Sequence, residues 1–131
     1  MNSHIFQTCF GVVAGFFSYC LGWNENIEIL VWAITLDIII GVAACFINDD
    51  MVFNSKNMYR GIVKKIVILA IVSFSHQLDL MLNTVIIGPS VTYFWVANEG
   101  LSVLENAGKC GLKLPPIIQN SLEQLQGGKK R

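Results

Sequence analysis

A run of 33 residues, 66–98, lies between Lys65 and Glu99 and carries a single formal charge, Asp79. As one continuous α-helix this run would extend roughly 50 Å at 1.5 Å per residue, whereas the hydrocarbon core of a bilayer is about 30 Å thick. If the helix breaks near Asp79, the run gives two segments that are each just long enough to cross. The sequence therefore predicts a protein that resides in a bilayer, and the break near Asp79 decides how often it crosses.

The composition supports a membrane protein and argues against several soluble classes. Of the 131 residues, 53% are apolar and only 14% are charged, whereas soluble domains have roughly 25% charged residues. The formal net charge is zero, which argues against a nucleic-acid partner attracted by bulk charge. The four cysteines are scattered without a C-x-x-C pair, so we expect neither a disulfide framework nor a zinc site.

The first predicted membrane helix covers about 5–23 and contains no Asp, Glu, Lys or Arg. Because no basic residue precedes it and its apolar run is about 20 residues long, we expect it to be retained rather than cleaved as a signal peptide. Gly11 and Gly15 have the G-x-x-x-G spacing that lets another helix approach closely. We interpret these glycines as helix-interface candidates, and the alternative is that glycine is simply frequent in membrane helices.

The second predicted helix covers about 27–47, with Asp37 near its middle. Asp37 shares a helix face with three small residues at four-residue intervals, which are Ala33, Gly41 and Cys45. An aspartate at mid-bilayer costs about 2.5–3.5 kcal/mol on insertion scales, so it should face protein or water. We interpret Asp37 and Gly41 as helix-interface or pore candidates. The alternatives are a protonated aspartate that only holds helices together and a proton relay.

The longest interior polar segment, 48–60, predicts the orientation. The basic residues in it and just after it are Lys56, Arg60, Lys64 and Lys65. By the positive-inside rule this loop faces the cytoplasm and the acidic turn at 24–28 faces outward. We expect the side chains of Lys64 and Lys65 to reach the inner interface.

The rest of the chain favours four membrane passes, with three as the alternative. We predict a third helix over 62–78, an outer turn at 76–79 and a fourth helix over 80–97 that is kinked at Gly88–Pro89. The basic residues 129–131 should stay inside, which requires an even number of passes. Both termini are then cytoplasmic.

The C-terminal part is predicted to be amphipathic rather than spanning. A short helix is expected to begin at Pro115–Pro116 and to end at Gly127–Gly128, with Ile118, Leu122 and Leu125 on one face. We therefore divide the chain into a transmembrane domain, 1–113, and an amphipathic and basic cytoplasmic tail, 114–131.

Motifs for catalysis are absent from the sequence. It contains no H-E-x-x-H, G-x-S-x-G, Walker loop or strand-following G-x-G-x-x-G. His76 and Asp79 form an i,i+3 pair, which we interpret as a local polar contact at a membrane turn. We predict a non-enzymatic protein without a cofactor or a metal.

From Asp37 onward, the chain resembles the phage lysis and toxin-secretion holin family, which includes the holins encoded beside large clostridial toxins. The resemblance rests on elements that occur in a fixed order. These are L-D-I-I-I-G at 36–41, N-S-K-N-M-Y-R-G-I-V-K-K-I at 54–66, L-D at 78–79, A-N-E-G-L-S-V-L-E-N at 97–106, Gly108 and L-P-P at 114–116.

The resemblance implies a small protein of the bacterial cytoplasmic membrane that is made late in phage infection. Such proteins accumulate, oligomerise at a timed moment and open large lesions. Through these lesions a folded endolysin, or a toxin in the clostridial relatives, leaves the cytoplasm. The expected partners are therefore the lipid bilayer, further copies of the chain and an endolysin.

Two sets of polar residues could serve such a lesion. The first set lies within the spans and could face water: Asp37, Ser73, Ser75, Asn83, Ser90 and Thr92. The second set matches the family's pattern and could form a cytoplasmic collar for oligomerisation: Glu99, Ser102, Glu105 and Asn106. The alternative for the second set is a solvated helix face or a helix cap.

Two other function classes remain open on the sequence alone. In a small proton-coupled multidrug-type transporter, Asp37 would exchange protons for a cationic drug. In a non-catalytic membrane adaptor, residues 99–126 would recruit a partner.

Overall fold

The computed structural model describes residues 2–127, and this part of the chain folds into five α-helices. They are α1 (Asn2–Leu21), α2 (Glu25–Ile47), α3 (Ser55–Leu82), α4 (Ile87–Lys109) and α5 (Pro116–Gly127). The prediction of an all-α chain is confirmed, and α5 begins at Pro116 as expected. Gly128 and the basic residues 129–131 lie outside the described residues. The apolar face expected for α5 stays a prediction.

The corner between α1 and α2 depends on a glycine and an asparagine. Gly22 has a φ of 62°, a left-handed conformation that costs glycine little. A Cβ atom at Gly22 would overlap the ring of His76, so α3 packs directly on this corner. Asn24 caps α2, because its Oδ1 accepts hydrogen bonds from the N–H groups of Asn26 at 2.9 Å and Ile27 at 3.2 Å. The corner therefore reverses the chain in few residues.

The helix α3 begins at Ser55, earlier than the predicted start at residue 62. Its cap is Asn54, whose Oδ1 accepts hydrogen bonds from the N–H groups of Lys56 at 2.9 Å and Asn57 at 3.4 Å. Residues 55–60, which were predicted to be part of the polar loop 48–60, are consequently helical.

The predicted division of the apolar run into two helices is confirmed, but the turn at 76–79 is wrong, because α3 continues through Asp79 to Leu82. The chain turns instead at Asn83, which adopts a left-handed φ of 51°. Asp79 does not break its own helix, since its carboxylate reaches the start of α4 and accepts hydrogen bonds from the N–H groups of Gly88 at 2.6 Å and Ile87 at 3.1 Å. These N–H groups have no partner within their own helix, so a carboxylate stabilises them well.

The predicted kink at Gly88–Pro89 is also wrong. Pro89 lies in the first turn of α4, where its missing N–H removes no helical hydrogen bond. Gly88 allows the close approach of the Asp79 carboxylate, because a Cβ atom there would lie only 3.0 Å from Oδ2 of Asp79.

The helices α2, α3 and α4 form a bundle. The side-chain amide of Asn48, just after α2, donates to the carbonyl oxygen of Lys109 at the end of α4 at 3.2 Å, so α2 and α4 run in the same direction. A small aliphatic core fills the half of the bundle nearest the α1–α2 corner. It consists of Ile27, Leu30, Ile34, Ile68 and Val72, with Val91, Trp95 and Val96 of α4 packed against it.

The first helix, α1, contributes no buried residue to this core among the residues that the structure describes. It is attached to α3 near its C-terminal end, where the Ser73 hydroxyl donates to the carbonyl oxygen of Cys20 at 2.8 Å. Phe6, Phe10 and Phe16 are all exposed on it. Such a surface is suited to lipid rather than to water.

Within residues 2–127, three helices are long and apolar enough to cross a membrane: α1, α2 and α3. The helix α4 has 23 residues and is long enough, but it contains Glu99, Glu105 and Lys109. It is a fourth candidate whose charges need an explanation from the structure.

We expect Asp79→Ala to lower the free energy of unfolding by about 1–2 kcal/mol, because the first turn of α4 loses its capping carboxylate. The measurement is an SDS titration of the purified protein in micelles, followed by circular dichroism. Asp49→Ala is the matched control, because Asp49 is exposed in the α2–α3 connection. Equal stability of the two variants would contradict the capping role.

Candidate functional site

Three charged side chains from three helices meet inside the bundle. The ammonium nitrogen Nζ of Lys65 lies 2.6 Å from Oδ2 of Asp37 and 2.5 Å from Oε2 of Glu99. The exposed fractions of these side chains are 13% for Lys65, 11% for Asp37 and 5% for Glu99. We call these residues, together with Asn106, the ion cluster.

The cluster forms because its members lie at similar depths on neighbouring helices. Asp37 is near the middle of α2 and Glu99 is near the middle of α4, and these two helices run in the same direction. Lys65 reaches them from α3, which runs in the opposite direction. Each charge would be costly alone in an apolar environment, and contact with an opposite charge offsets much of that cost.

The second oxygen of Asp37 is also satisfied. Oδ1 accepts a hydrogen bond of 2.9 Å from the side-chain amide of Asn106 on α4. Gly41, one turn after Asp37, makes room for this amide, since a Cβ atom at Gly41 would lie 3.3 Å from Nδ2 of Asn106. Glycine at position 41 thus permits the close approach of α2 and α4.

The cluster has an unequal charge balance. One ammonium is shared by two carboxylates, so the formal charge of Asp37, Lys65 and Glu99 together is −1. The other ion pair on α4 joins Glu105 to Lys109 at 2.9 Å near the helix end, and both side chains are more than a third exposed. An exposed pair of this kind contributes little stability, whereas the buried cluster responds strongly to the loss of one partner.

A cavity of about 320 Å³ adjoins the cluster between α2 and α3. Its inner end is formed by Asp37, Lys65 and Asn106, and residues 51–54 of the α2–α3 connection lie at its other end. The remaining walls are mainly apolar and include Ile38, Val42, Met58, Gly41, Gly61 and Ile62. We call this space the α2–α3 cavity.

The structure brings together residues that the sequence analysis treated separately. Asp37 and Gly41 were interpreted as helix-interface or pore candidates, and Glu99 and Asn106 as members of a collar. Asp37 binds Asn106 directly and is linked to Glu99 through Lys65, and Gly41 lies against Asn106. Ser102 is half-buried on α4 and Glu105 bonds to Lys109 of the same helix. The roles of these residues in oligomerisation stay predictions.

Other candidates lie apart from the cluster. Within the described chain, no heavy atom of another element lies within 4 Å of a Cβ atom built at Gly11 or Gly15. Lys56, Arg60 and Lys64 are exposed on α3. The expectation that Lys65 reaches the inner interface is wrong, because the helix turns this side chain toward α2 and α4.

Several polar groups proposed for a water-facing wall are bonded to carbonyl oxygens inside the protein. The hydroxyl of Ser75 donates to Val72 at 2.7 Å, and that of Thr92 donates to Gly88 at 2.8 Å. Asp79, expected to contact His76, instead binds the start of α4 and the hydroxyl of Thr84.

Sequence reasoning missed the pairing of Lys65 with two carboxylates. A signal for it was present, since apolar segments that contain charges of opposite sign at similar depth favour mutual pairing. The face of α3 that is turned toward α2 and α4 was not evident from the sequence, because packing between the helices determines it.

We expect Lys65→Met to lower the free energy of unfolding by about 3–5 kcal/mol at neutral pH, because two buried carboxylates lose their shared cation. The exposed neighbour provides the control, and Lys64→Met should change the free energy by less than about 0.5 kcal/mol. Both values come from SDS titrations in micelles. Similar stabilities for the two variants would show that the cluster does not stabilise the fold.

Comparison with known proteins identifies relatives of this chain. A model of the bacteriophage holin family matches residues 15–127. An uncharacterized protein of Listeria monocytogenes is 36% identical over 97 residues, which cover 65% of this chain and 69% of that protein. An uncharacterized protein of Clostridium acetobutylicum is 30% identical over 112 residues, covering 83% of this chain and 88% of that protein.

A relative named by function is also similar. A probable holin of Bacillus phage phi105 is 28% identical over 111 residues, which cover 83% of this chain and 80% of that protein. No solved structure matches the chain significantly. Because the family match extends from the end of α1 through α5, this membrane-embedded helical chain belongs to the bacteriophage holin family.

Proposed function

We propose that this protein is a holin that oligomerises in the bacterial cytoplasmic membrane and opens lesions at a timed moment. An endolysin made in the same cell then leaves the cytoplasm through these lesions and reaches the cell wall. The observation that carries the proposal is the match of residues 15–127 to the holin family, in which a relative is a probable phage holin.

The placement of charge supports four membrane passes. In α4, residues 87–104 would span about 27 Å at 1.5 Å per residue, close to the thickness of a hydrocarbon core. The one formal charge in this stretch is Glu99, which is turned toward Lys65 and away from lipid. Glu105 and Lys109 come after the stretch, where the chain would reach the interface.

The basic residues support cytoplasmic termini. Lys56, Arg60 and Lys64 are exposed near the start of α3, so they would lie on the inner side under the positive-inside rule. With four passes, the N-terminus and α5 are then on the same side.

A toxin is the alternative cargo, as the family resemblance implies.

Lesion formation requires the helices to rearrange in this proposal. A wall around a water-filled hole must present polar groups, yet the ion cluster and the hydroxyl groups of Ser75 and Thr92 are bonded within the bundle. Assembly of many copies would have to expose some of these groups to water.

The helix α1 is the surface that we assign to contacts between copies. Gly11 and Gly15 share one face, and close approach of helices in lipid depends on small residues of this kind. Within the described chain, both positions are free of contacts from other elements. Ser102 and Glu105 on α4 provide a second candidate contact at the cytoplasmic end.

Inducible expression in a bacterium, with and without a cytoplasmic endolysin, tests the proposed function. We expect sudden loss of membrane potential in both cultures and lysis only in the culture that contains the endolysin. Potential-sensitive dye fluorescence and culture density are recorded together, and immunoblots of membrane fractions confirm the protein level.

Two outcomes would oppose a large-lesion holin. Depolarisation without endolysin release would indicate small pores or ion leakage. Normal potential and density, with the protein present in the membrane, would reject lesion formation altogether.

We expect the double variant Gly11→Leu, Gly15→Leu to delay lysis and to weaken chemical cross-linking between copies, because two bulky side chains separate the α1 helices. Val13→Leu is the control, since at 100° per residue position 13 lies on the opposite side of α1. Both variants are compared at matched membrane levels. Unchanged lysis time and cross-linking in the double variant would place the contacts between copies elsewhere.

A further inference from the structure

The α2–α3 cavity has the size and the chemistry of a small-molecule site. Its volume of about 320 Å³ lies within the range of roughly 300–1,000 Å³ that is usual for such sites. Most of its wall is apolar. Its charged groups, Asp37 and Lys65, lie at the inner end with Asn106, whereas Asn54 and Asn57 line the part near the start of α3. This combination is typical of sites that hold an apolar body and orient it by one polar contact.

The space exists because glycines occur on both facing helices. Gly41 of α2 and Gly61 of α3 line the cavity. No heavy atom of another described element lies within 4 Å of a Cβ atom built at Gly61, and at Gly41 the contacts are with the side chain of Asn106. The aliphatic core, which includes Ile34 and Ile68, lies on the other side of the ion cluster. Aliphatic side chains therefore fill the bundle on one side of the ion cluster, and the α2–α3 cavity lies on the other side.

The charge at the inner end favours a cation. Lys65 divides its ammonium between Asp37 and Glu99, so the cluster has a formal charge of −1. Asp37 lines the cavity, whereas Glu99 lies behind Lys65. In surroundings of low dielectric constant, an uncompensated charge attracts a counter-ion strongly.

We propose that the α2–α3 cavity binds a small lipophilic cation, with its apolar body between α2 and α3 and its charge beside Asp37. A lipid acyl chain would fill the apolar part of the space but would leave the excess negative charge of the cluster without a counter-ion. A lipophilic anion of the same shape would be repelled by the carboxylates. This inference concerns ligand binding by the purified protein and does not depend on lesion formation.

Equilibrium dialysis of the full-length protein in detergent micelles tests the proposal. The probe is radiolabelled tetraphenylphosphonium, and protein-free micelles give the background. Tetraphenylborate has nearly the same shape and the opposite charge, so it reports on charge selection. We expect saturable binding of the cation and much weaker binding of the anion.

Two substitutions remove the excess negative charge by different routes. Asp37→Asn changes a residue that lines the cavity, and Glu99→Gln changes one that does not. Each leaves a single carboxylate for Lys65 and makes the cluster formally neutral. We expect both variants to bind the cation at least roughly tenfold more weakly than the wild type.

A third substitution removes the space rather than the charge. Gly61→Leu fills the cavity without a clash at its Cβ atom, so it should abolish saturable binding of the cation. Gly100→Leu adds the same side chain on α4, where a Cβ atom would meet no other element and which does not line the cavity, and should leave binding unchanged. Circular dichroism shows whether each variant retains its helices.

The proposal is overturned by any of four results. Wild-type protein without saturable binding would mean that lipid or a second copy fills the space. Equal binding by wild type and Gly61→Leu would place the cation elsewhere. Unchanged binding in both charge variants, or equal binding of the borate, would show that the site does not select positive charge.

Discussion

The bundle depends on one ammonium group held between two carboxylates. Lys65 joins α3 to α2 through Asp37 and to α4 through Glu99, at distances of 2.6 and 2.5 Å. In water these contacts would contribute little, but an apolar environment makes each unpaired charge expensive. The three helices are therefore held in register by a polar interaction, since helices in lipid gain little from the hydrophobic effect when they associate.

The same interaction indicates how a helix of unfavourable composition could cross a membrane, as we propose for α4. By composition, α4 differs from α1, α2 and α3 because it contains three charged residues. Its central charge, Glu99, is 5% exposed and faces Lys65. On composition alone, a glutamate at this position argues against a membrane-spanning helix. In the folded bundle, the same glutamate binds Lys65 and is shielded from the surroundings. The cost of a charge in a membrane helix depends on the direction in which that helix is rotated.

The sequence predicted the all-α fold and the helical character of each apolar run, because long uncharged stretches have few other solutions in a bilayer. It also predicted the start of α5, where Pro116 favours the first turn. It predicted a break between α3 and α4 but placed it a few residues too early, since a charge in an apolar run ends a helix only when its side chain finds no partner. Asp79 finds one on the next helix. Likewise, Asp37 and Glu99 were identified as candidates, but their meeting at Lys65 depends on tertiary packing.

The order of the cluster along the chain has a consequence for biosynthesis. Asp37 precedes Lys65 by 28 residues, and Glu99 follows Lys65 by 34. When the ribosome has delivered α2 and α3 to the insertion machinery, the acid of the earlier helix already has a basic partner, and the nascent hairpin is formally neutral at its centre. Glu99 arrives last and meets a lysine that is already in place. In the four-pass arrangement that we propose, Lys65 and Glu99 would each enter the membrane next to an opposite charge that was translated earlier.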